Sequence, residues 1–255
     1  PRRDPPEQLE HALADSTPPL LTLHGAGGLG KSRFVHHMGH RLQQGWEASL
    51  KDDSDGKEST GSTHKAQGLD IKALAEDGIY FVSLAGIESD AGNDDAAGLE
   101  IVAAIAEALQ LDMTETADML DQLSRSLADH RLLLILDNFE QLQPHAKLIV
   151  HLLQHVPGLT ALVTSRTRLN VRGERIVVLD GLPSPDETEA DDVRASPAGQ
   201  LFIATARAVA GEFEIDDATR KAIARTCNLL QGMPLGIELA ASWTAMLTCE
   251  EIAEE

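Results

Sequence analysis

The 255 residues of this chain include 42% hydrophobic and only 3% aromatic residues, so aliphatic side chains must fill any core. The formal net charge of −20 argues against broad binding to nucleic acid or to an anionic membrane surface, but leaves room for one local anion site. No apolar run approaches the roughly 20 residues of a membrane-spanning helix, no signal peptide is visible, and two cysteines do not make a disulfide framework. We therefore expect a cytoplasmic fragment of a longer protein, with no membrane and no direct nucleic-acid contact in this part.

The first third of the chain contains one strand, one helix and one polar segment. Residues 1–19 are polar and Pro-rich, with a short helical pattern, and form a lead-in. An apolar run at 19–24 predicts a buried strand, and apolar residues at helical spacing in 30–44 predict a helix after it. Residues 47–70 are rich in Ser and Gly and almost free of apolar side chains, which predicts a flexible insertion. The alternative is that this segment is a loop that binds a partner.

Further strands and helices alternate along the middle of the chain. Strands are predicted at 79–84, 131–137, 160–164 and 175–179, and helices at 99–109, 117–127 and 145–155. The third predicted strand is apolar at almost every position, which is typical of a strand buried on both faces of a parallel sheet. The alternation predicts βαβ units, and so an α/β fold with a doubly wound, parallel five-stranded sheet over residues 20–181.

The last quarter of the chain has a different pattern. Residues 182–197 are acidic and carry Pro183, Pro185 and Pro197, which predicts a linker. Only helical patterns follow, at 198–210, 216–230 and 234–247, with a further start at 249. We therefore predict a small all-helical domain over residues 198–255.

The strongest motif is the run Gly25-Ala-Gly-Gly-Leu-Gly-Lys-Ser32, which matches the G-x-x-x-x-G-K-[ST] pattern between a predicted strand and a predicted helix. Glycines let several backbone N–H groups converge on one anion, and the dipole of the following helix adds positive potential. Lys31 would reach the β- and γ-phosphates of a nucleotide, and Ser32 would offer its hydroxyl to Mg²⁺. The alternative is a Gly-rich turn without a ligand. The predicted nucleotide-binding residues of this P-loop are Gly25, Ala26, Gly27, Gly28, Leu29, Gly30, Lys31, Ser32 and Arg33.

The second expected element of a P-loop site is an acidic residue at the end of an apolar strand. Asp137 supplies it and would hold Mg²⁺ through water. Many hydrolytic P-loop proteins place Glu next, but Asn138 cannot accept a proton, so we expect slow hydrolysis. Glu140 is a candidate catalytic carboxylate; the alternative is a solvated carboxylate at a helix N-terminus, which the helix dipole favours.

A third candidate element follows the next apolar strand, where Thr164, Ser165 and Arg166 stand in sequence. Polar and cationic side chains at the carboxyl edge of a parallel sheet face the ligand crevice. Arg166 is therefore a candidate for sensing the γ-phosphate, and the alternative is an ordinary surface arginine.

Together these residues resemble the nucleotide-binding module of STAND-type signalling ATPases, the group that includes NB-ARC proteins. The resemblance extends to bacterial predicted-ATPase regulators that carry helix-turn-helix DNA-binding domains or tetratricopeptide repeats. The Gly-Met-Pro-Leu stretch is its most discriminating part, because ordinary P-loop enzymes lack it. The resemblance covers roughly residues 20–255 and rests on five stretches: residues 24–32, 133–141, 162–170, 200–204 and 232–241.

The resemblance implies roles for individual residues. Pro234 would lie against adenine at the start of a helix, although a proline that simply begins a helix is the alternative. Arg166 would be the γ-phosphate sensor, and the helical domain would be a lid that responds to the phosphate state. Two departures matter. The Gly-Arg-x-x-Glu-like segment expected before the first strand is represented only by Arg2 and Arg3 near Glu7, out of register, and the chain stops before the expected winged-helix domain.

These observations favour an ATP/ADP-binding switch module of a larger signalling or transcription-regulating protein, with slow Mg²⁺-dependent hydrolysis and a protein partner or self-association. Adenine is favoured because the Asn-Lys-x-Asp motif that reads guanine is missing. The alternatives are an AAA+-like turnover ATPase that remodels a protein partner, and an interaction scaffold with a vestigial site. The histidine pairs His36/His40 and His151/His155 are predicted to be surface residues rather than zinc ligands, and the two cysteines to be plain buried or partly buried residues on helices.

Overall fold

The structure is a computed structural model that describes residues 5–14, 19–54, 70–88, 94–113, 118–185, 192–211 and 213–255. It divides into two compact units. The α/β unit comprises Pro1–Gly25 and Lys31–Val178, and the C-terminal unit comprises Ala26–Gly30 and Leu179–Glu255. The central part of the predicted P-loop is therefore grouped with the C-terminal unit.

The α/β unit is built on one five-stranded sheet in the order β2-β3-β4-β1-β5, and every neighbouring pair is parallel. This confirms the predicted α/β fold with a parallel sheet. The order leaves β1 between β4 and β5, so the chain reaches β2 at the far edge before it returns through β3 and β4. The strands are β1 Leu20–His24, β2 Ile79–Ser83, β3 Leu132–Asp137, β4 Leu159–Ser165 and β5 Glu174–Val178.

The helices of the α/β unit lie between the strands in the chain. Predicted and observed helices agree closely after β2, but α2 continues through Ser54 and so includes the start of the predicted insertion at 47–70. The apolar spacing ends at Leu42, but Glu, Ala, Leu and Lys in the next ten positions are good helix formers. The rest of that predicted insertion, 55–69, lies outside the described residues. The helices are α1 Pro5–Ala14, α2 Lys31–Ser54, α3 Ile71–Leu74, α4 Asp94–Ala108, α5 Met119–Leu127 and α6 Ala146–His155, with a 3-10 turn at Gln143–His145 before α6.

The core of the α/β unit is aliphatic, as the low aromatic content predicts. All six residues of β3 are buried, which explains why that strand lacks the alternating pattern of a half-exposed strand. Side chains of β3 and β4 such as Leu134 and Val163 pack in one cluster with Ile101, Leu123 and Ile149 from α4, α5 and α6. Full burial of one such side chain contributes about 1.5–3 kcal/mol, so this cluster holds the sheet in place below the functional edge.

The C-terminal unit is helical after residue 191, and three of its helices begin at side-chain caps. The Ser196 side chain accepts a hydrogen bond from the Gly199 N–H (3.2 Å), and Asp216 accepts one from the Thr219 N–H (2.8 Å). Thr248 forms a capping box with Glu251. The helices are α7 Asp192–Ala195, α8 Pro197–Ala210, α9 Asp217–Leu229, α10 Pro234–Ser242 and α11 Cys249–Glu254, with a 3-10 turn at Trp243–Ala245.

Two features of this unit differ from the expected pattern. The predicted helix at 234–247 ends at Ser242, where the Ser242 and Thr244 hydroxyls donate to the carbonyls of Leu239 and Ala241. Such bonds compete with the helical ladder, which accounts for the 3-10 turn. In addition, α7 lies inside the predicted linker at 182–197, of which residues 186–191 lie outside the described part of the chain.

The core of the C-terminal unit contains both cysteines. Cys227 on α9 and Cys249 on α11 are buried in a cluster with Phe202, Ile223 and Ile237. Burial raises the pKa of the Cys227 thiol to about 12 and that of Cys249 to about 11. Both thiols therefore stay protonated and act as small apolar core groups, in agreement with the prediction. Across both units, no helix within the described residues combines the length and the hydropathy needed to cross a membrane.

Candidate functional site

Polar residues end the three adjacent strands β3, β4 and β1 of the α/β unit. In the parallel register, His24 at the end of β1 lies opposite Ser165 at the end of β4. The Gly25 N–H donates to the Ser165 carbonyl (3.3 Å), so the loop after β1 starts beside the loop after β4. Asp137 ends β3, on the other side of β4. Ligands of open α/β sheets bind outside this carboxyl edge, which makes it the candidate site.

Thr164 joins the ends of β3 and β4 through its hydroxyl. The hydroxyl donates to Oδ1 of Asp137 over 2.5 Å and accepts from the backbone N–H of Asn138 over 2.9 Å. Thr164 and Asp137 are both buried. One oxygen of the Asp137 carboxylate is therefore held in a fixed position at the sheet edge. Sequence reasoning included Thr164 in a polar cluster but did not predict this bond, whose only signal was a Thr at the end of an apolar strand.

Asn138 has a backbone φ of 70°, in the left-handed region that Asn tolerates better than most non-Gly residues. The next residue, Phe139, is completely buried, and its N–H donates to the Thr164 carbonyl (3.0 Å). The chain thus makes a tight turn immediately after Asp137. Position 138 is a turn position in this structure, which gives a structural reason for Asn where many hydrolytic P-loop proteins carry Glu.

Lys31 lies at the start of α2 and is only 8% exposed. Its Nζ donates to the Gly25 carbonyl over 2.9 Å. Burial lowers the pKa of Lys31; among the neighbouring charges, Glu140 and Asp137 raise it and Arg166 lowers it. Three other predicted functional residues of the α/β unit therefore act electrostatically on Lys31 at this edge. A buried amine that loses solvation gains most from an anionic ligand.

Glu140 and Arg166 form an ion pair in which Oε1 of Glu140 lies 2.8 Å from Nε of Arg166. The Glu140 side chain is 13% exposed and that of Arg166 is 60% exposed. The alternative of a solvated carboxylate at a helix N-terminus is therefore wrong, because the turn after Asp137 leaves the Glu140 side chain only slightly exposed and lies before the next helix. Arg166 is exposed, as a surface arginine would be, but it is paired with this less exposed carboxylate.

The P-loop takes the backbone conformation that its glycines permit. Gly28 and Gly30 have φ values of 82° and 80°, in the left-handed region where a side chain would be strained. Ser32 and Arg33 are exposed on the first turn of α2, and Ala26 is exposed in the loop. The remaining predicted loop residues are Gly27 and Leu29, both half-buried.

Within the C-terminal unit, the loop at Ala26–Gly30 contacts the start of α10. The Leu235 N–H donates to the Gly28 carbonyl over 3.2 Å. A Cβ at Gly28 would lie 3.2 Å from both Leu235 Cβ and Met233 Sδ, so this close approach also requires glycine. Pro234 is the first residue of α10, so it does begin a helix, and its predicted place beside adenine stays a prediction.

The histidines make local contacts. The His36 ring lies 3.9 Å from the Phe81 ring, and His151 stacks on His155 at 4.1 Å with Asp121 Oδ1 3.1 Å from its Nε2. Nowhere in the described ranges do three or more His, Cys, Asp or Glu side chains come together as a metal site.

A cavity of about 470 Å³ lies elsewhere in the α/β unit. Pro19, Arg131 and Leu159 line it, and these residues precede or begin β1, β3 and β4. The cavity is therefore at the amino edge of the sheet, whereas Lys31 and Asp137 lie at the carboxyl edge. We place the candidate site by the charged residues at the carboxyl edge, because an open phosphate site does not require an enclosed cavity.

Comparison with known proteins gives relatives of this chain but no matching family model. The chain is 31% identical over 238 residues to proteins named "Putative HTH-type transcriptional regulator" from Mycobacterium tuberculosis and Mycobacterium bovis, which covers 92% of the chain and 21% of those proteins. It is 33% identical over 234 residues to an uncharacterized protein of Mycobacterium tuberculosis, which covers 91% of the chain and 48% of that protein. These mycobacterial proteins are relatives of this chain. The chain spans less than half the length of each.

One solved structure that the chain matches weakly is that of a STAND protein with a tetratricopeptide repeat sensor from Pyrococcus horikoshii. The TM-score is 0.42 at 12% sequence identity, over 92% of this chain and 28% of that one.

Proposed function

We propose that this chain is the ATP- and ADP-binding module of a larger regulatory protein, and that it acts as a switch with slow Mg²⁺-dependent hydrolysis. The observation that carries the proposal is the environment of Lys31, a buried amine that Glu140, Asp137 and Arg166 influence electrostatically. Lys31 is also the lysine of a G-x-x-x-x-G-K-S loop that follows β1, a strand with a neighbour on each side. This combination is typical of a site for the phosphates of a nucleotide.

The residues present fit a nucleotide phosphate group and its Mg²⁺. Gly28 and Gly30 have the backbone conformations that let loop N–H groups face one anion. Lys31 would contact the β- and γ-phosphates; Ser32 would hold Mg²⁺ directly and Asp137 through water. Bound Mg²⁺ would neutralise charge on the phosphate oxygens.

Slow hydrolysis follows from the turn after Asp137. Asn138 occupies the left-handed turn position and has no carboxylate to polarise a water molecule. Glu140 is the nearest candidate carboxylate in the sequence, but Arg166 engages one of its oxygens. The oxygen that contacts Arg166 is not available to orient a water molecule, which favours a switch over an AAA+-like turnover enzyme.

The same proposal covers the contact with adenine and the regulatory output of the protein. Pro234 would lie beside adenine, and the contact of Leu235 with Gly28 supports a role for this stretch next to the loop. A switch further requires that ATP and ADP favour different conformations of the protein. Because relatives are named as helix-turn-helix transcriptional regulators, we propose that the output is transcriptional control through a protein partner or self-association, with DNA contact made by other parts of the protein.

The first experiment is to denature the purified protein and identify the released nucleotide by chromatography. Near-stoichiometric ADP supports a switch in its resting state. An empty site is followed by titration with Mg²⁺-ATP and Mg²⁺-ADP, and if neither raises the melting temperature, the scaffold alternative replaces the proposal. Sustained hydrolysis on the order of 1 s⁻¹ or faster would instead support the turnover ATPase.

The variant Lys31→Ala tests the site itself. We expect it to weaken binding of both nucleotides by at least about tenfold, because it removes the buried charged donor to the phosphates. Calorimetric titration measures the affinities, and Lys147→Ala on the exposed side of α6 is the matched control. Unchanged affinity in Lys31→Ala would show that the nucleotide does not bind at this loop.

A further inference from the structure

The Glu140–Arg166 ion pair joins one fixed and one exposed side chain. Glu140 follows Phe139 in a turn that is anchored by buried residues, since the Leu142 N–H donates to the Phe139 carbonyl over 3.0 Å and both of these side chains are fully buried. The Arg166 side chain is 60% exposed, whereas that of Glu140 is 13% exposed. The Glu140 carboxylate is therefore the fixed member of the pair, and it orients the guanidinium of Arg166.

The contact uses the Nε edge of the guanidinium, with Nε of Arg166 2.8 Å from Oε1 of Glu140. An arginine has five N–H donors in a rigid plane, so its two terminal nitrogens stay available when Nε is engaged. The backbone next to Arg166 is also fixed, because Ser165 is fully buried and its Oγ accepts from the Thr167 N–H over 3.1 Å. Both ends of the pair thus rest on rigid backbone at the carboxyl edge of the sheet.

We propose that Glu140 is a positioning residue, whose Oε1 holds Nε of Arg166 so that the terminal nitrogens of Arg166 meet the terminal phosphate of a nucleoside triphosphate. The inference rests on the proposed function and deepens it, since it assigns to this pair the discrimination between triphosphate and diphosphate. Glu140 then acts through Arg166 rather than by activating water.

The charges of the pair predict that the effects of losing Glu140 and of losing Arg166 on triphosphate affinity do not add. The Glu140 side chain is 13% exposed and its charge acts on Lys31, so an unpaired Glu140 carboxylate would repel a γ-phosphate. Arg166 cancels that charge and adds its own donors. Loss of Arg166 alone leaves the carboxylate uncompensated, whereas loss of both side chains removes the repulsion as well as the attraction.

The experiment measures the affinities of ADP and of a non-hydrolysable ATP analogue, with Mg²⁺, by calorimetry. Glu140→Ala should weaken analogue binding about tenfold and ADP binding less than about twofold. Glu140→Gln keeps an oxygen acceptor for Nε and should retain most of the preference. Arg166→Ala should lose more analogue affinity than Glu140→Ala, and adding Glu140→Ala to it should leave that affinity unchanged or improve it. Arg168→Ala, an exposed arginine on the same loop, is the control.

Each other result overturns the proposal in a recognisable way. A Glu140→Ala variant that hydrolyses ATP more slowly at an unchanged affinity ratio would make Glu140 a water-activating residue instead. Tighter analogue binding in Glu140→Ala would mean that the carboxylate holds Arg166 away from the phosphate. Equal losses for both nucleotides with a lower melting temperature would reveal a structural role. If the unmodified protein binds neither nucleotide, the proposed function fails together with this inference. The other outcomes are seen only in the variants, so the two kinds of failure can be told apart.

Discussion

The two units of the chain differ in whether charged side chains are buried. In the α/β unit, Glu10, Lys31 and Asp137 are buried. In the described part of the C-terminal unit, the buried polar residues are the uncharged Ser196 and Thr226, and charged groups serve as exposed helix caps. Burying a charge costs free energy unless a partner compensates it. The α/β unit therefore carries a desolvation cost that the described part of the C-terminal unit does not.

The buried charges of the α/β unit are not all equivalent. Glu10 on α1 is paired with Arg41 on α2 at 2.6 Å, which ties two helices together away from the functional edge. Lys31 and Asp137 instead hydrogen-bond to a backbone carbonyl and to a threonine hydroxyl, and neither interaction neutralises a charge. The comparison thus separates an ion pair between two helices from charged side chains that hydrogen-bond to uncharged groups at the carboxyl edge of the sheet.

The largest loss of stability should come from a substitution in the core that supports the buried charges. Leu134 is 1% exposed in β3, and Leu134→Ala should lower the free energy of unfolding by about 2–5 kcal/mol through lost burial and a cavity. Urea unfolding measures the change. Leu239→Ala in α10, where the side chain is 57% exposed, is the control and should shift stability by less than about 0.5 kcal/mol. Similar losses in the two variants would contradict the assigned core.

A second test removes the hydroxyl that holds Asp137. Thr164→Val keeps the shape of the side chain but leaves the Asp137 carboxylate and the Asn138 N–H without a partner, and should cost about 1–3 kcal/mol of stability. Thr164→Ser keeps the hydroxyl and should lose much less. Urea unfolding of both variants measures the difference, and equal stability of the two would mean that the hydroxyl does not hold Asp137 in solution.

A third test addresses the turn between Asp137 and Glu140. Asn138→Ala should cost about 1–2 kcal/mol, because alanine adopts the left-handed conformation poorly. Asn138→Gly has no side chain to strain and should stay closer to the unmodified protein. Thermal unfolding of the two variants compares them, and a glycine variant less stable than the alanine variant would argue against the positive φ.

The smallest effect belongs to the caps of the C-terminal unit. Hydrogen bonds from Thr219 hold the pKa of Asp216 below its usual 3.8. Since the folded pKa lies below the unfolded one, this stabilisation is complete above about pH 4 and is lost as the pH falls through the lowered value. Asp216→Asn keeps a cap without a titrating group and should flatten the stability profile between pH 5 and about pH 3. The exposed Glu254→Gln is the control, and an identical profile in all three proteins would remove Asp216 from the acid response.

Much of the fold followed from sequence pattern. The five strands, the parallel sheet and the helical C-terminal region were predicted because apolar runs and helical spacing are local signals. The end of α2 at Ser54 and the shortened α10 were missed. In both places the apolar pattern predicted the wrong end of the helix, because helix propensity and hydroxyl-to-backbone bonds decide such boundaries.

The sequence by itself determined the chemistry that the carboxyl edge offers: a glycine-rich loop with Lys31 and Ser32, an aspartate at the end of an apolar strand, and an arginine after the next. Only the tertiary structure decided that the strands order as β2-β3-β4-β1-β5, that Thr164 holds Asp137, and that Glu140 forms an ion pair with Arg166. The reason is physical. Residue types and spacings are local, whereas hydrogen bonds and ion pairs between residues 26 or 27 positions apart depend on which strands become neighbours.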